Sequence, residues 1–204
     1  MLVFYIKERF IKTALLFFIW IFGLFSGGLI SSLLALKKNY IFILSALCGN
    51  ILFLTAYTFL HKPYKLTKIF KCIILKDIIF YAILAYIIKN IFIKSNTLKL
   101  YNNLDIFLLF ITILLSSIGE ELLFRKLILD VLTNDFNYSI FPANVIQSII
   151  FTITHFKTNY KEIVIILASG ILFGYIRYKK GIIHSITLHI LINTFILLQM
   201  LKIN

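Results

Sequence analysis

The sequence is poor in residues that break chains. Two prolines and eight glycines among 204 residues exclude collagen-like and linker-rich polymers. Charged residues make up only 14%, whereas apolar residues reach 61%. Soluble domains carry about a quarter charged residues and about half apolar ones. A soluble fold of this length has too little interior for so much apolar surface, and a disordered chain needs the opposite bias. Acidic residues are few, eight against 21 Lys and Arg, for a net charge of +13. Gathered into one patch, that charge would suit nucleic acid. Here the basic residues form short groups between long apolar runs, as in loops flanking membrane helices, so no nucleic-acid partner is expected. Cys48 and Cys72 are the only cysteines. No metal or redox spacing links them, and both read as small buried residues. An integral membrane protein remains.

A membrane helix needs about 20 apolar residues. Thr13–Leu36 and Asn39–Leu60 carry no charge. Cys72–Ile93 is interrupted near its ends by Lys76, Asp77 and Lys89. The run from Leu104 to about Val131 stays apolar to Gly119, then carries Glu120, Glu121, Arg125 and Lys126. Phe136–Phe156, the short Ile163–Ile176 and Ile182–Leu201 follow. The expected fold is all-α: a polytopic transmembrane bundle of about seven helices, six to eight. Lys7, Arg9 and Lys12 ahead of an apolar run imitate a signal peptide, but the run is too long, which favours a retained first helix. No repeat or long linker divides the chain. Residues 1–204 read as one integral membrane domain, with a motif-bearing core over about 104–201.

With seven spans and a cytoplasmic N-terminus, the inner segments hold Lys7, Arg9, Lys12, Lys62, Lys65, Lys68, Lys71, Lys76, Arg125, Lys126, Arg177, Lys179 and Lys180. The remaining eight of the 21 basic residues lie outside. The positive-inside rule favours this orientation.

Ionisable groups at membrane depth are costly and usually face a bundle interior. Glu121 and Arg125 are four residues apart and share a helix face. Glu120 is turned about 100° away, and one arginine leaves one of the two acids poorly compensated. Poor compensation in a buried site suits a general base. The plainer reading is a charged patch where the helix leaves the membrane. Asn144, Ser148, Thr152 and His155 form a polar stripe on one face of the next helix, which must face protein or water. An interhelical hydrogen bond would also account for His155. Ser185, His189 and Asn193 recur every fourth residue on the last helix, while His184 lies off that face and reads as structural or interfacial. In an alternating bundle Glu120, His155 and His189 fall at similar depths, so one shared cavity is expected.

A carboxylate, two histidines and an asparagine suit hydrolysis by activated water. One Glu and one His hold and deprotonate the water, while the other His and the Asn stabilise the oxyanion. No G-x-S-x-G frames a serine nucleophile, and no H-E-x-x-H is present. One Glu and two His are also a zinc donor set, so the residues alone leave metal open.

Glu120-Glu121-x-x-x-Arg125, Phe151-x-x-x-His155 and His189-x-x-x-Asn193 occur in this order. Together, with the stretch Gly181–Asn193, they resemble the CPBP family of CAAX proteases and bacteriocin-processing enzymes, also called Abi. The type II CAAX prenyl endopeptidases are relatives of that family. The resemblance spans about Leu104–Asn193 and implies an all-helical intramembrane endopeptidase of glutamic type. It makes Glu120 the general base, with His155 orienting the water. It assigns His189 and Asn193 to the oxyanion hole. Glu121, Arg125 and Phe151 become supporting residues, and no metal or other cofactor is required. The chain is short for the family. Its expected partners are a peptide or membrane-protein substrate and the lipid bilayer. Its Ile, Lys, Asn and Phe content suggests an AT-rich bacterial genome, hence a bacterial cell membrane and substrates other than prenylated proteins. Two other classes compete. One is a non-catalytic membrane protein such as a bacteriocin immunity factor. The other is a proton-coupled transporter, which would be larger and show internal repeats.

Overall fold

The computed structural model describes residues 2–34, 38–61, 75–92 and 103–201. Cys72 and the loop residues Lys62, Lys65, Lys68 and Lys71, on which the charge count leans, lie outside the described residues. Within them the protein is almost entirely helical, with no strand. Among the described residues seven α-helices run in order: α1 (Leu2–Leu33), α2 (Lys38–Leu60), α3 (Leu75–Phe92), α4 (Asn103–Glu120), α5 (Ile140–Ile153), α6 (Tyr160–Lys180) and α7 (Ile182–Leu201). After Glu120 the chain widens into π-helical turns at Glu121–Ile128 and Val131–Asp135. There the hydrogen bonds stretch to five residues, as from Leu129 N–H to Phe124 O and from Phe136 N–H to Val131 O. Glu8–Leu33, Ile43–Leu60 and Leu104–Asp135 are long and apolar enough to cross a membrane, and Ile140–Ile153 and Ile182–Leu198 are shorter apolar helices.

The burial pattern inverts that of a soluble protein. Arg125, Glu121, Gln147 and Asn50 are among the largest fully buried side chains. Phe18, Phe22, Phe25, Leu29 and Leu33, spaced along one face of α1, are 64–77% exposed. An apolar stripe of that extent belongs against lipid. The protein is an integral membrane helical bundle.

The chain forms two compact units. Met1–Tyr64 with Lys99–Gly119 makes the first. In it, α1 and α2 meet backbone to backbone: a methyl on Gly23 would stand 2.6 Å from the Gly49 Cα, and one on Gly27 2.8 Å from the Ser45 Cα. Small residues permit such approach where no water drives association. Asn50 satisfies the polar groups nearby, accepting from Trp20 Nε1 at 3.3 Å and donating to Ser116 Oγ at 2.8 Å. Replacing Gly27 by Leu forces these backbones apart. It should cost at least about 1–3 kcal/mol, read as a lower thermal midpoint in detergent, whereas Gly28→Ala, where a methyl meets nothing nearer than 3.6 Å, should change little.

Lys65–Leu98 with Glu120–Asn204 makes the second unit. Its core joins Tyr81 of α3, Phe173 and Ile176 of α6, and Leu188 and Ile192 of α7. α5 and α6 interlock through polar groups. Asn144 donates to Ile171 O at 2.9 Å, and a methyl on Gly174 would overlap the Asn144 amide. Ser148 and Thr152 donate back to their own helix. The stripe on α5 therefore faces protein. α5 is shorter than the expected Phe136–Phe156, because Ser139 is extended at its start and residues 154–156 turn away, with Phe156 at φ 49°. α6 is longer than Ile163–Ile176. Asn159 caps it by accepting from Lys161 N–H, and Arg177, Lys179 and Lys180 occupy its last turn, where cations complement the helix dipole. Gly181, at φ 99°, separates α6 from α7, a conformation that favours glycine.

Candidate active site

The site is built in the second unit around the π-helical turn. A π-helix is rare and often marks a functional position. Here it turns Glu121, Leu123, Phe124, Arg125 and Leu127 inward. Glu121 and Arg125 are both 0% exposed, with Nη1 3.2 Å from Oε1. The pairing follows the expected four-residue spacing. Two charges buried this deeply are tolerable only when their remaining hydrogen-bonding capacity is met.

Both carboxylate oxygens of Glu121 have a hydrogen-bonding partner. His189 of α7 stands with Nδ1 2.9 Å from Oε1, and Ser185, one turn earlier, donates to Oε2. Ser185 also lies 3.0 Å from Phe173 O. Its hydroxyl has one hydrogen to give, and the carboxylate is the stronger acceptor. The Arg125 guanidinium reaches Gly170 O at 3.4 Å and lies 4.1 Å over the Phe151 ring and 5.2 Å from that of Phe173. Aromatic faces thus cover the buried cation.

Glu120 differs from its neighbour. Its side chain is 15% exposed and its Oε2 lies 3.8 Å from His189 Nε2. The two ring nitrogens of His189 therefore face two different acids, Nδ1 the buried Glu121 and Nε2 the more open Glu120. Phe173 stacks on the imidazole at 4.7 Å and 21°, fixing its plane.

His155 stands just past the end of α5, in a turn rather than in the helix where the sequence suggested it. Its Nδ1 lies 2.8 Å from Phe151 O and its ring packs 4.5 Å from the Phe151 ring, which in turn is 6.3 Å from His189. Phe151 is the link between the histidines. Among the described residues, His155 makes no hydrogen bond or ion pair with Glu120 or His189. Asn193 is half-buried one turn beyond His189 on α7. The structure thus gathers Glu120, Glu121, Arg125, Phe151 and His189 directly, brings in His155 through Phe151, and sets Asn193 on the His189 helix. Among the described residues no three His, Cys, Asp or Glu side chains converge as a metal site.

One contributor, Phe173, has no signal in the sequence, and another, Ser185, lies on the expected face without having been given a role. Nothing distinguishes Phe173 among 21 phenylalanines. Ser185 did carry a signal, standing four residues before His189 on the same face. His184, off that face, joins a separate cluster, with Nε2 3.5 Å from Asp77, itself paired to Lys180 at 3.0 Å.

Residues 102–195 match the family model for Rce1-like, type II CAAX prenyl endopeptidase Rce1-like proteins. That segment contains every residue of the three motifs. No curated protein and no solved structure matches the chain. Over residues 102–195, just under half of its length, the chain is similar to the type II CAAX prenyl endopeptidase Rce1-like family, a match that supports a CAAX-protease-like membrane protein.

Proposed function

We propose that the protein is an intramembrane endopeptidase of the glutamic type, cleaving a peptide or membrane protein by direct attack of water. Glu120 takes a proton from water as its oxygen adds to the scissile carbonyl carbon. His155 orients that water. His189 and Asn193 donate to the oxyanion. Collapse breaks the C–N bond, and the proton held by Glu120 passes to the leaving amine. The observation that carries this reading is the asymmetry of the two acids. Glu121 is spent on Arg125, His189 and Ser185, whereas Glu120 is partly open and faces an imidazole nitrogen at 3.8 Å.

The mechanism we propose uses no metal. In support, Nδ1 of each histidine is already engaged, one with Phe151 O and the other with Glu121. We place the protein in a bacterial cell membrane with a cytoplasmic N-terminus, and take its substrate to be a leader peptide, a signalling peptide or a membrane protein rather than a prenylated one. Purified protein in lipid nanodiscs should cleave members of a labelled peptide library at defined bonds, at a rate unchanged by a strong chelator. Loss of cleavage on chelation with recovery on adding zinc would overturn the metal-free step. Protection of cells from a bacteriocin by variants of Glu120, His155 and His189 alike, with no cleavage by wild type, would identify a non-catalytic immunity protein.

A further inference from the structure

We infer that Glu121 is a positioning residue that fixes which nitrogen of His189 carries the hydrogen, and so reserves Nε2 for proton exchange with Glu120. This rests on the reading of Glu120 as the base. An ionised carboxylate only accepts, and a neutral imidazole has one donor and one acceptor nitrogen. Nδ1, 2.9 Å from Glu121 Oε1, must therefore be the donor. In a neutral ring Nε2 is then left bare, 3.8 Å from the carboxylate of Glu120. Two acceptors facing each other at that distance need a proton donor between them or a proton on one of them.

Substrate water provides it. As the O–H bond breaks and the C–O bond forms, Glu120 receives the proton and passes it on to Nε2, from which it later returns through Glu120. His189 thereby becomes a donor on the substrate side at the moment the oxyanion appears. Glu121, held by Arg125 and Ser185, offsets the positive charge the ring then acquires. The same proton leaves with the amine when the C–N bond breaks, and the ring returns to its first state. A hydrogen bond made only as charge develops favours the transition state over bound substrate. A carboxylate, a histidine and a working group in line repeat the logic of a catalytic triad, with Glu120 in the last position.

The groups around His189 are consistent with this assignment. Phe151 of α5 and Phe173 of α6 present uncharged rings. Arg125 is paired to Glu121, Arg177 to Asp130, and Asp77 of α3 to Lys180 and His184. His155 lies beyond Phe151, and Asn193 stands one turn along α7.

The test is nitrogen NMR on histidine-labelled wild-type protein in nanodiscs. The four histidines are assigned by single replacement, and cleavage kinetics accompany the spectra. His189 should show hydrogen on Nδ1 and a bare Nε2 in the resting enzyme. Glu121→Gln, whose amide oxygen still accepts from Nδ1, should keep that tautomer yet lower kcat at least about 100-fold with little change in KM. Hydrogen on Nε2 with bare Nδ1 in the wild type would overturn the inference while leaving cleavage by Glu120 standing. The predicted tautomer together with undiminished cleavage by Glu120→Gln would instead sink the protease reading and spare the tautomer. Should Glu121→Gln fail to fold, the wild-type spectrum still decides.

Discussion

Arg125→Met should leave little folded protein. The guanidinium is 0% exposed and pairs with an equally buried Glu121 at 3.2 Å. Methionine fills most of the space and keeps contact with Phe151, so the loss is chiefly electrostatic. It strands a carboxylate away from water with one cation fewer, a change that typically costs about 3–5 kcal/mol. That is a large fraction of the stability of an ordinary domain. Yield after detergent extraction and the thermal midpoint should both fall. Arg125→Met combined with Glu121→Gln removes both charges and should recover most of the lost stability, because an uncharged buried pair is far cheaper than one unpaired ion. A double variant no more stable than Arg125→Met would show that the pair matters through packing alone.

Glu120→Gln should do the opposite, sparing the fold and removing activity. Its side chain is partly exposed, and Arg125 is already matched by Glu121, so loss of this charge strands no partner. The amide is nearly the same size but cannot take a proton from water. General-base catalysis contributes about 100- to 10,000-fold, so cleavage should fall by that factor while the melting temperature shifts by no more than a surface substitution would give. Glu121→Gln should differ by losing stability as well as rate, since it leaves Arg125 in the position that Glu121 occupies in Arg125→Met.

Much of this arrangement is legible in the residues. Long uncharged runs locate the helices, since nothing else in a chain of this composition can satisfy its backbone in lipid. The spacing of Glu121 and Arg125 foretells their pairing, and that of Ser185, His189 and Asn193 foretells a common face. The two acids are separable because adjacent residues on a helix point apart. Other features leave no trace. The π-helical turn follows Gly119 without any residue that demands it. Phe173 is one phenylalanine among many, and only the approach of α6 to α7 makes it the plate on which His189 lies. The displacement of His155 from helix to turn is accompanied by a positive φ at Phe156, a residue type that rarely adopts it. Side-chain periodicity reports which face is buried, and says nothing of where tertiary contacts bend the chain.

The most direct measurement is the rate of peptide cleavage per folded molecule for Glu120→Gln beside wild type, in the same nanodiscs, with unfolding midpoints recorded for both. The role of Glu120 as general base requires matching midpoints and a loss of at least about 100-fold in rate. Equal rates from two equally folded proteins would contradict it.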